Sequence, residues 1–397
     1  MLAAAFSIGK RLEKNNKVCY VSSKAFLIKN DYGNNFLNKL SRIIAKHILR
    51  LHKVIILPFT KYPAESNDLT GVFSSLYSLT SDSTADKEKY PKIWDDLLEI
   101  DAASEDLFTY LIKLSPSAIY VFNGRISSVY KVAKFAKDKN IPVFYYEYGR
   151  CGLSSYTLTD FPIHDLYSWG KMYIEYFDKK NISIKKLNKY KKEYISSKFN
   201  NKFSSSYDDT AVSHYDLSIY ISSTHEFMSL ASDVLASDYA NDLAFVKDVI
   251  RKNPGLNKVV VRCHPNQVND VGWRDSLAPL VNYCDAKNIE VVLPDSPVSS
   301  YALLINSDRV AVNISSIAVE AILLGKMPQI YGWPPYRYVY DCARRKSLNQ
   351  AEVIDYFASV MSVSRFACQH RYGIGWIIAL FVFRIINKLL GLVVKNL

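Results

Sequence analysis

The sequence has few cysteines, and their spacing forms neither a disulfide framework nor a zinc site. The six cysteines are widely separated, and no two form a Cys-x-x-Cys pair. Reduced thiols in a cytosolic protein explain this distribution best. A signal peptide is also lacking, because Lys10 and Arg11 follow the short apolar start of the chain rather than precede it. We therefore expect no export.

The chain also lacks an apolar run long enough to cross a membrane. The most apolar segment is 372–395, but its uninterrupted part is only 376–383, because Arg384 and Lys388 break it. Spanning a bilayer takes about 20 apolar residues. We therefore predict that residues 366–397 form an apolar, amphipathic C-terminal helix that lies on a membrane surface. A terminal helix packed on the protein's own core is the alternative.

Acidic residues are outnumbered by basic ones, 38 to 50, so the formal charge is +12. This excess predicts an anionic partner, and the basic residues concentrate at 179–202 and 344–346. No zinc-finger, homeodomain or RNA-recognition pattern accompanies them, which argues against nucleic acid. An anionic membrane surface or a phosphorylated substrate fits better. No Asp-x-Asp metal signature stands in a convincing context, so we expect neither a metal site nor a cofactor.

Short β-rich runs alternate with longer amphipathic stretches, a pattern typical of a parallel sheet covered by helices. The 397 residues exceed what one core usually serves, and a polar stretch at 200–209 separates two series of βα units. We predict an α/β protein with two Rossmann-like domains, 1–205 and 206–365, that face a cleft. The predicted strands are 18–22, 53–58, 118–122, 142–146, 217–221, 258–262, 290–293, 309–313 and 327–331.

Ligands of such sheets bind outside the carboxyl ends of the strands, so the residues after each strand are the candidates. The predicted strand 258–262 leads into His264-Pro265-Asn266, where proline ends the ladder and forces a turn. Here Arg262 could supply charge, and His264 could donate to a phosphate leaving group. An ordinary loop is the alternative.

Two hydroxyl residues, Ser315 and Ser316, follow the predicted strand 309–313 and begin a helix. Backbone N–H groups and the positive end of the helix dipole favour a phosphate there. Glu320, one turn into the helix, is close enough to accept from a ribose hydroxyl. The alternative is a capped core helix that starts at serine and ends at Gly325.

In the first half of the chain, Glu147 follows the fourth predicted strand, where its carboxylate could deprotonate an acceptor hydroxyl. It could equally brace Arg150. Asn123 and Arg125 follow the third predicted strand and could orient the acceptor or contact anionic sugars, although an exposed turn is the alternative. His164 could support Glu147, and a simple loop position is again the alternative.

A resemblance joins these motifs. The His-Pro pair on a strand end, with the Ser-Ser pair that heads a helix before Gly-Lys-x-Pro, resembles the nucleotide-binding half of bacterial capsule and lipopolysaccharide glycosyltransferases. It looks especially like the group of Kdo transferases and bacterial sialyl- and polysialyltransferases, in which a His-Pro motif and a Ser motif hold a CMP-sugar. The likeness runs over residues 117–340 and includes Ser299 in the stretch 294–304. It implies the two-domain GT-B fold.

Two motifs depart from the family pattern. The usual Gly-Ser-Thr, followed by Gly-Ile-Glu, reads Ile-Ser-Ser-Ile-Ala-Val-Glu here. At residues 222–226 the usual Ser-Ser-x-Asp-Glu reads Ser-Ser-Thr-His-Glu. If the missing aspartate is catalytic in similar proteins, its role passes to Glu226 or His225, or the chain is impaired. Glu226 is therefore a second candidate base or nucleophile beside Glu147.

The resemblance implies transfer of Kdo or another acidic sugar from a CMP donor onto a growing capsule or lipopolysaccharide glycan, at the cytoplasmic face of a bacterial membrane. The nucleotide sugar would contact Arg262, His264, Pro265, Asn266, Ser299, Ser315, Ser316 and Glu320, with His264 also catalytic. The acceptor, lipid-linked or a growing glycan, would contact Asn123, Arg125 and His164. A CMP-releasing polyol-phosphate transferase and a catalytically degenerate, membrane-associated scaffold are the alternatives.

Overall fold

The computed structural model describes residues 21–23, 55–57, 68–80, 82, 85–148, 155–199, 213–222, 237–367 and 369–371. The chain divides into two compact units. The first comprises residues 1–76, 86–163 and 368–397, and the second comprises 77–85 and 164–367. The division at residue 164 differs from the boundary at 205 expected from the sequence.

Strands and helices alternate along the described residues, as the α/β prediction requires. The strands are β1 Val21–Ser23, β2 Ile55–Leu57, β3 Ile119–Phe122, β4 Val143–Tyr148, β5 Ser155–Thr159, β6 Tyr215–Tyr220, β7 Val259–Arg262, β8 Glu290–Val292, β9 Ser307–Asn313, β10 Gln329–Tyr331 and β11 Gln369–Arg371. The helices are α1 Thr70–Thr80, α2 Pro91–Lys113, α3 Ser127–Asp138, α4 Leu166–Lys179, α5 Ile184–Phe199, α6 Asp242–Lys252, α7 Trp273–Asp285, α8 Ser300–Ile305, α9 Ile317–Leu323, α10 Pro335–Arg345 and α11 Gln350–Ser364. A 3-10 turn, Pro265–Asn269, follows β7.

A parallel five-stranded sheet forms the centre of the second unit, with the order β10-β9-β6-β7-β8. Its strands are rich in Val and Ile because both faces are covered, and every residue of β7 is buried. On one face, Leu217, Ile219 and Val261 pack with Phe245 of α6 and Leu277 of α7 in a single hydrophobic cluster. The sheet therefore gives the strand ends a rigid base.

The strand order of this sheet contains a topological switch point. Counted from β6, the order is 3-2-1-4-5, which matches the first five strands of the Rossmann order 3-2-1-4-5-6. The chain moves outward from β6 through β7 and β8, then returns to the other side of β6 with β9. In open sheets of this kind, ligands bind in the crevice outside the carboxyl ends of the strands at that point.

Helices α4 and α5 pack within the second unit although they precede its sheet in the chain. α4 lies against α10, and α5 lies against α11. At Gly170 of α4, an added Cβ would lie 2.5 Å from the carbonyl oxygen of Pro335, so only glycine permits this close approach. Trp169 and Tyr173 of the same helix are buried. This packing accounts for the difference from the expected boundary.

The four-stranded sheet of the first unit is mixed rather than parallel, unlike the expected Rossmann-like domain. β3 and β4 pair in parallel, whereas β5 pairs antiparallel with both β4 and β11. β1 and β2 form a separate parallel pair. Helices α2 and α3 pack together and hold a buried ion pair, in which Lys131 Nζ lies 2.6 Å from Asp101 Oδ2.

The C-terminal segment begins differently from the predicted helix 366–397. Helix α11 ends at Ser364, and residues 369–371 form β11, which adds to the sheet of the first unit. The rest of the predicted amphipathic helix, residues 372–397, lies outside the described part of the chain. Across the residues that the structure describes, no helix combines the length and apolarity that a membrane span needs.

Candidate active site

The carboxyl ends of β6, β7 and β9 form one edge of the sheet in the second unit, here called the carboxyl edge. Ser222 follows β6, His264 follows β7, and Ser315 follows β9. The Ser222 hydroxyl donates to the carbonyl oxygen of Asn313, the last residue of β9, and so ties two of these ends together. Because neighbouring strands lie about 4.8 Å apart, the ends of β7 and β9 are about 10 Å apart, on either side of β6.

His264 caps the 3-10 turn Pro265–Asn269 at the end of β7. Its Nδ1 accepts from the Asn266 N–H at 3.2 Å, and its own backbone N–H donates to Gln267 Oε1 at 2.9 Å. Because Nδ1 is an acceptor, the neutral imidazole carries its proton on Nε2. Pro265 and Asn266 are exposed, and His264 itself is half-buried. The turn therefore fixes the tautomer in which Nε2 is a donor.

Arg262 is buried, unlike the expected cleft-facing cation, with 4 % of its surface exposed. Its Nε donates to Ser300 Oγ at 3.1 Å, and its guanidinium also donates to the carbonyl oxygens of Val292 and Leu293. These bonds join the end of β7 to the end of β8 and to the start of α8. The arrangement makes Arg262 a brace for the carboxyl edge.

Ser299 is the N-cap of α8. Its hydroxyl oxygen accepts from the backbone N–H groups of Tyr301 and Ala302 at 3.2 and 3.4 Å, and the residue is 9 % exposed. A serine in this position satisfies backbone donors that the first helical turn leaves unpaired. The observed contacts thus give Ser299 a structural role, and its predicted contact with a nucleotide sugar stays a prediction.

The turn from β9 to α9 has an unusual backbone. Ile314 has φ +64°, in the left-handed region that β-branched residues rarely enter. It is held there by burial and by a bond from its N–H to the Tyr331 carbonyl oxygen at 3.2 Å. Strain of this kind costs roughly 1–3 kcal/mol and clusters at functional sites. The sharp turn separates Ser315 and Ser316 from the buried strand.

Ser315 and Ser316 differ in exposure but are alike in the hydrogen bonding of their hydroxyl groups. Ser316 is exposed and Ser315 is half-buried. Ser316 is the N-terminal flanking residue of α9, but its side chain does not cap the helix. Among the described residues, neither hydroxyl takes part in a hydrogen bond, in contrast to the hydroxyl of Ser299. The alternative of a serine that merely caps a core helix is therefore not what the structure shows.

Glu320 lies in the interior rather than at the surface, with none of its area exposed. Lys198 of α5 approaches it, with its Nζ 3.8 Å from Glu320 Oε1. Burial, and then the charge of Glu320, raise the pKa of Tyr336 well above its ordinary value and also raise the pKa of Tyr194. In this position Glu320 lies beneath the turn. A carboxylate that accepts a hydrogen bond from a ribose hydroxyl would have to reach the surface.

Tyr336 is a residue that sequence reasoning missed. It is the second residue of α10 and is buried, and its hydroxyl donates to the Ser315 carbonyl oxygen at 2.6 Å. This bond holds the strained turn at Ser315, next to the residue that the Tyr331 contact holds. The only sequence signal was a tyrosine after the paired prolines Pro334 and Pro335, which is too common a pattern to indicate the contact.

The first unit brings three predicted residues together at the ends of β3 and β4. Asn123 Nδ2 donates to Glu147 Oε2 at 2.6 Å, and the Asn123 N–H donates to the Tyr146 carbonyl oxygen at 2.9 Å. Burial lowers the pKa of Arg125, and the charge of Glu147 opposes that effect. A carboxylate, an amide and a guanidinium therefore lie within electrostatic reach of one another, as a polar acceptor site requires.

Gly124 controls the turn that positions Asn123 and Arg125. Its φ is +89°, and an added Cβ would lie 2.5 Å from the ring of Tyr145. We therefore expect Gly124→Ala to lower the free energy of unfolding by about 2–4 kcal/mol, since it combines backbone strain with overpacking. Urea unfolding followed by circular dichroism measures the change. Gly255→Ala is the control, because φ is +78° there but a Cβ meets nothing within 4 Å; equal losses would contradict the packing argument.

His164 and Glu226 complete the predicted site residues, and the buried thiol of Cys263 lies beside two of the others in sequence. His164 lies in the turn before α4, where the next residue, Asp165, caps the helix by accepting from the Ser168 N–H at 3.1 Å. Glu226 lies outside the described residues, so its role stays a prediction. Cys263, between Arg262 and His264, is buried, and burial raises the pKa of its thiol to about 12, which excludes it as a nucleophile near neutral pH.

Metal ligands are not grouped in the described part of the chain. Within residues that the structure describes, no three His, Cys, Asp or Glu side chains are close enough to hold a metal ion together. The chemistry at hand is that of hydroxyl, imidazole, amide and carboxylate groups. These can hold a phosphate and move a proton.

No protein-family model matches the chain, and no curated protein matches its sequence. Solved structures with some likeness include two from Thermosulfurimonas dismutans KpsC. With the β-Kdo 2,7 transferase, the TM-score is 0.40 at 15 % identity, over 64 % of this chain and 79 % of that one. With the β-Kdo 2,4 transferase, the TM-score is 0.39 at 16 % identity, over 62 % and 79 %.

A UDP-GlcNAc 2-epimerase from Methanocaldococcus jannaschii, in complex with UDP-GlcNAc and UDP, is also similar. Its TM-score is 0.23 at 10 % identity, over 80 % of this chain and 94 % of that one. All of these TM-scores are below 0.5. The function proposed below therefore rests on the strand order and on the side chains at the strand ends.

Proposed function

We propose that this chain is a GT-B glycosyltransferase that uses a nucleotide sugar. Its donor is a CMP-activated acidic sugar such as Kdo, and its product is a capsule or lipopolysaccharide glycan. The observation that supports this most is the carboxyl edge, where a sheet of Rossmann order has His264 and the Ser315-Ser316 turn on either side of its first strand. That is the place where such sheets bind nucleotides.

The spacing of the two groups suits a nucleotide. The ends of β7 and β9 are about 10 Å apart, so the side chains that follow them can converge on one phosphate placed above the end of β6. Ser315 and Ser316 offer hydroxyl donors on one side, and His264 offers Nε2–H on the other. In this proposal the serines hold the donor phosphate, and His264 donates to the phosphate oxygen that leaves with CMP.

Charge on the leaving group is balanced by donors fixed before the reaction begins. The capping contact with the Asn266 N–H holds His264 in one tautomer. The hydrogen bonds of Arg262 hold the end of β7 in place. Preorganised donors lower a barrier because they need no reorientation as charge develops. Arg262 thus acts through position, and we assign no direct contact with the substrate to it.

On the acceptor side, Glu147 is the proposed base. An acceptor hydroxyl gives its proton to the Glu147 carboxylate, and its oxygen bonds to the anomeric carbon of the donor. The bond between that carbon and the CMP phosphate oxygen breaks, and the electron pair leaves with CMP. Asn123 orients the carboxylate through the 2.6 Å contact, and Arg125 favours an acidic acceptor.

The test of this proposal is a thermal-shift screen of CMP, UDP and GDP on the purified chain. A ligand that binds only the native state stabilises it, by about 2.7 kcal/mol at a concentration 100 times its Kd. We expect CMP to raise Tm by about 5 °C, with smaller effects of UDP and GDP. Ser316→Ala is expected to reduce the CMP shift, whereas Ser276→Ala, a change on α7, is expected to preserve it.

Other outcomes would redirect the proposal. A larger shift with UDP or GDP would overturn the donor assignment. No shift with any nucleotide, together with no heat in a calorimetric titration, would favour a non-enzymatic scaffold. Glycerol phosphate in place of sugar in the product would indicate a polyol-phosphate transferase.

A further inference from the structure

Helix α5 is the most basic element of the second unit, and none of its residues is buried. It contains six lysines and a single acid, Glu193. Such a charge run is ordinarily a solvated face. The structure, however, separates five of these lysines into two groups with different surroundings, and the sixth, Lys186, lies over the Tyr190 ring with its ammonium 5.7 Å from the ring centre.

Two of the lysines are used in packing. Lys191 Nζ lies 2.6 Å from Asp355 Oδ1 of α11, and Lys198 approaches the buried Glu320. Both are less than one-third exposed. These two contacts attach α5 to the body of the unit and therefore fix which way the opposite face of the helix points.

The other group lies along one face, here called the lysine stripe: Lys185, Lys189 and Lys192. Their spacing of four and three residues aligns them on a helix. All three are exposed. Lys189 Nζ is 3.9 Å from Glu193 Oε1, a solvent-exposed pair of little energetic weight. In the part of the chain that the structure describes, Lys185 and Lys192 have no ion-pair partner.

Two exposed isoleucines lie between the attached face of α5 and the lysine stripe, because each residue advances a helix by about 100°. Ile184 is 78 % exposed and Ile195 is 37 % exposed. A groove of about 610 Å³ between α5 and α11 continues this apolar flank, and Ile195 and Ile354 line it with Lys192. Large aliphatic side chains that remain exposed beside lysines are typical of interfacial helices, which insert the apolar groups while the cations meet headgroups.

Two further basic helix ends adjoin this surface. Tyr356 of α11 follows Asp355, the partner of Lys191. The ammonium of Lys346, just after α10, lies 4.2 Å from the centre of the Tyr356 ring. The centre of the Phe177 ring, near the end of α4, lies 5.9 Å from the centre of the same Tyr356 ring. Exposed cations are concentrated at these two ends: Lys179, Lys180, Arg344, Arg345 and Lys346. The positive surface therefore extends beyond α5.

We propose that the lysine stripe with Ile184 docks the protein onto an anionic lipid bilayer. Charge complementarity and the adjacent exposed isoleucine together favour this occupant. A single-stranded nucleic acid, by contrast, is bound through aromatic side chains that stack on bases, whereas the two tyrosines of α5 are half-buried and the Tyr190 ring packs on Phe366. The inference depends on α5 alone and stands whether or not the chain transfers sugars.

The experiment uses the full chain and sucrose-loaded vesicles at ~0.1 M salt, where surface charges still act over about 10 Å. One set of vesicles is phosphatidylcholine, and the other contains about one-third phosphatidylglycerol to provide a negative surface. The test variant is Lys185→Ala, Lys189→Ala and Lys192→Ala together. Each cation near such a surface contributes about fivefold, so the triple change is expected to weaken binding to the anionic vesicles about 100-fold.

A matched control removes the same charge elsewhere in the second unit. Lys247, Lys258 and Lys287 are exposed and lie outside α5, and their triple replacement by alanine is expected to weaken binding less than fivefold. Ile184→Ser is expected to weaken binding about tenfold without any change of charge, whereas Ile305→Ser, at a residue 51 % exposed, is expected to leave it unchanged. Circular dichroism and Tm confirm that all variants are folded.

Three results would overturn the proposal. Equal losses in the two lysine triples would show that only net charge matters. Wild-type binding that does not depend on phosphatidylglycerol would exclude the stripe as the docking surface. Displacement of the protein from the vesicles by a single-stranded oligonucleotide at a comparable concentration would indicate nucleic acid as the partner instead.

Discussion

Glu147→Gln is expected to lower kcat about 10³-fold and to leave the KM of the acceptor within a few-fold of the wild-type value. Glutamine has nearly the shape of glutamate, and its amide oxygen can still accept from Asn123 Nδ2, which now lies 2.6 Å from the carboxylate. The substitution therefore keeps the contact and removes the proton acceptor. CMP released from CMP-Kdo in the presence of an oligosaccharide acceptor measures the rate.

A carboxylate of different position provides the control for this prediction. Glu290 begins β8, at the amino end of its sheet, and accepts from the Tyr215 hydroxyl at 2.6 Å. Glu290→Gln is expected to leave kcat within twofold because no substrate contact is assigned to that end. If Glu147→Gln kept at least a tenth of the wild-type kcat, Glu147 would be a positioning residue for Arg125 rather than the base.

His264→Asn is expected to reduce kcat/KM by between about 10² and 10³, with little change in stability. Asparagine is a strong N-cap, so its side-chain oxygen can replace Nδ1 as the acceptor for the Asn266 N–H, which lies 3.2 Å away. It has no counterpart of the Nε2–H that faces the proposed leaving group. The variant therefore separates the cap from the donor.

His264→Ala is the comparison that interprets this result. Alanine removes the cap as well, which is expected to cost about 1 kcal/mol of unfolding free energy, while the activity falls to the level of His264→Asn. The stabilities come from urea unfolding and the rates from the same CMP-release assay. Near-normal activity of His264→Asn beside a strong loss in His264→Ala would show that the histidine serves the turn alone.

The sheet of the second unit was predictable from the sequence because its strands carry a local signal. Residues 259–262 are buried on both faces, so they read as a continuous β-branched run that stops at His-Pro. The same holds for β9, which was predicted at 309–313 and begins two residues earlier. The strand order was not predictable from the sequence, because it depends on which strands pair. The alternation of strands with helices nevertheless predicts parallel pairing.

Membership of the two units was not predictable in the same way. The polar segment at 200–209 has the composition of a linker, but α4 and α5, which precede it, pack against α10 and α11. That packing depends on long-range features such as the close approach at Gly170 and the ion pair of Lys191. Neither leaves a periodic pattern in the sequence.

In the candidate site, too, the sequence indicates the positions of residues along the chain but not the contacts between them. Asn123 follows its strand as predicted, whereas Glu147 lies within the last residues of β4, and their contact requires the parallel register in which Phe122 is opposite Tyr146. For Glu320, a usable signal was present. The helix around it, Ile317–Leu323, is apolar on all sides, which indicates a buried helix whose single acid must find a partner inside. The pattern therefore predicts a buried carboxylate at Glu320, which is where the structure places it.

The most direct test is the position of CMP in a crystal structure of the complex. We predict that its phosphate lies within hydrogen-bond distance of the Ser315 or Ser316 hydroxyl, with the His264 imidazole on the other side of β6 and within reach of a phosphate oxygen. Clear density for CMP at any place away from the carboxyl edge, or a His264 side chain directed away from the nucleotide, would contradict the account.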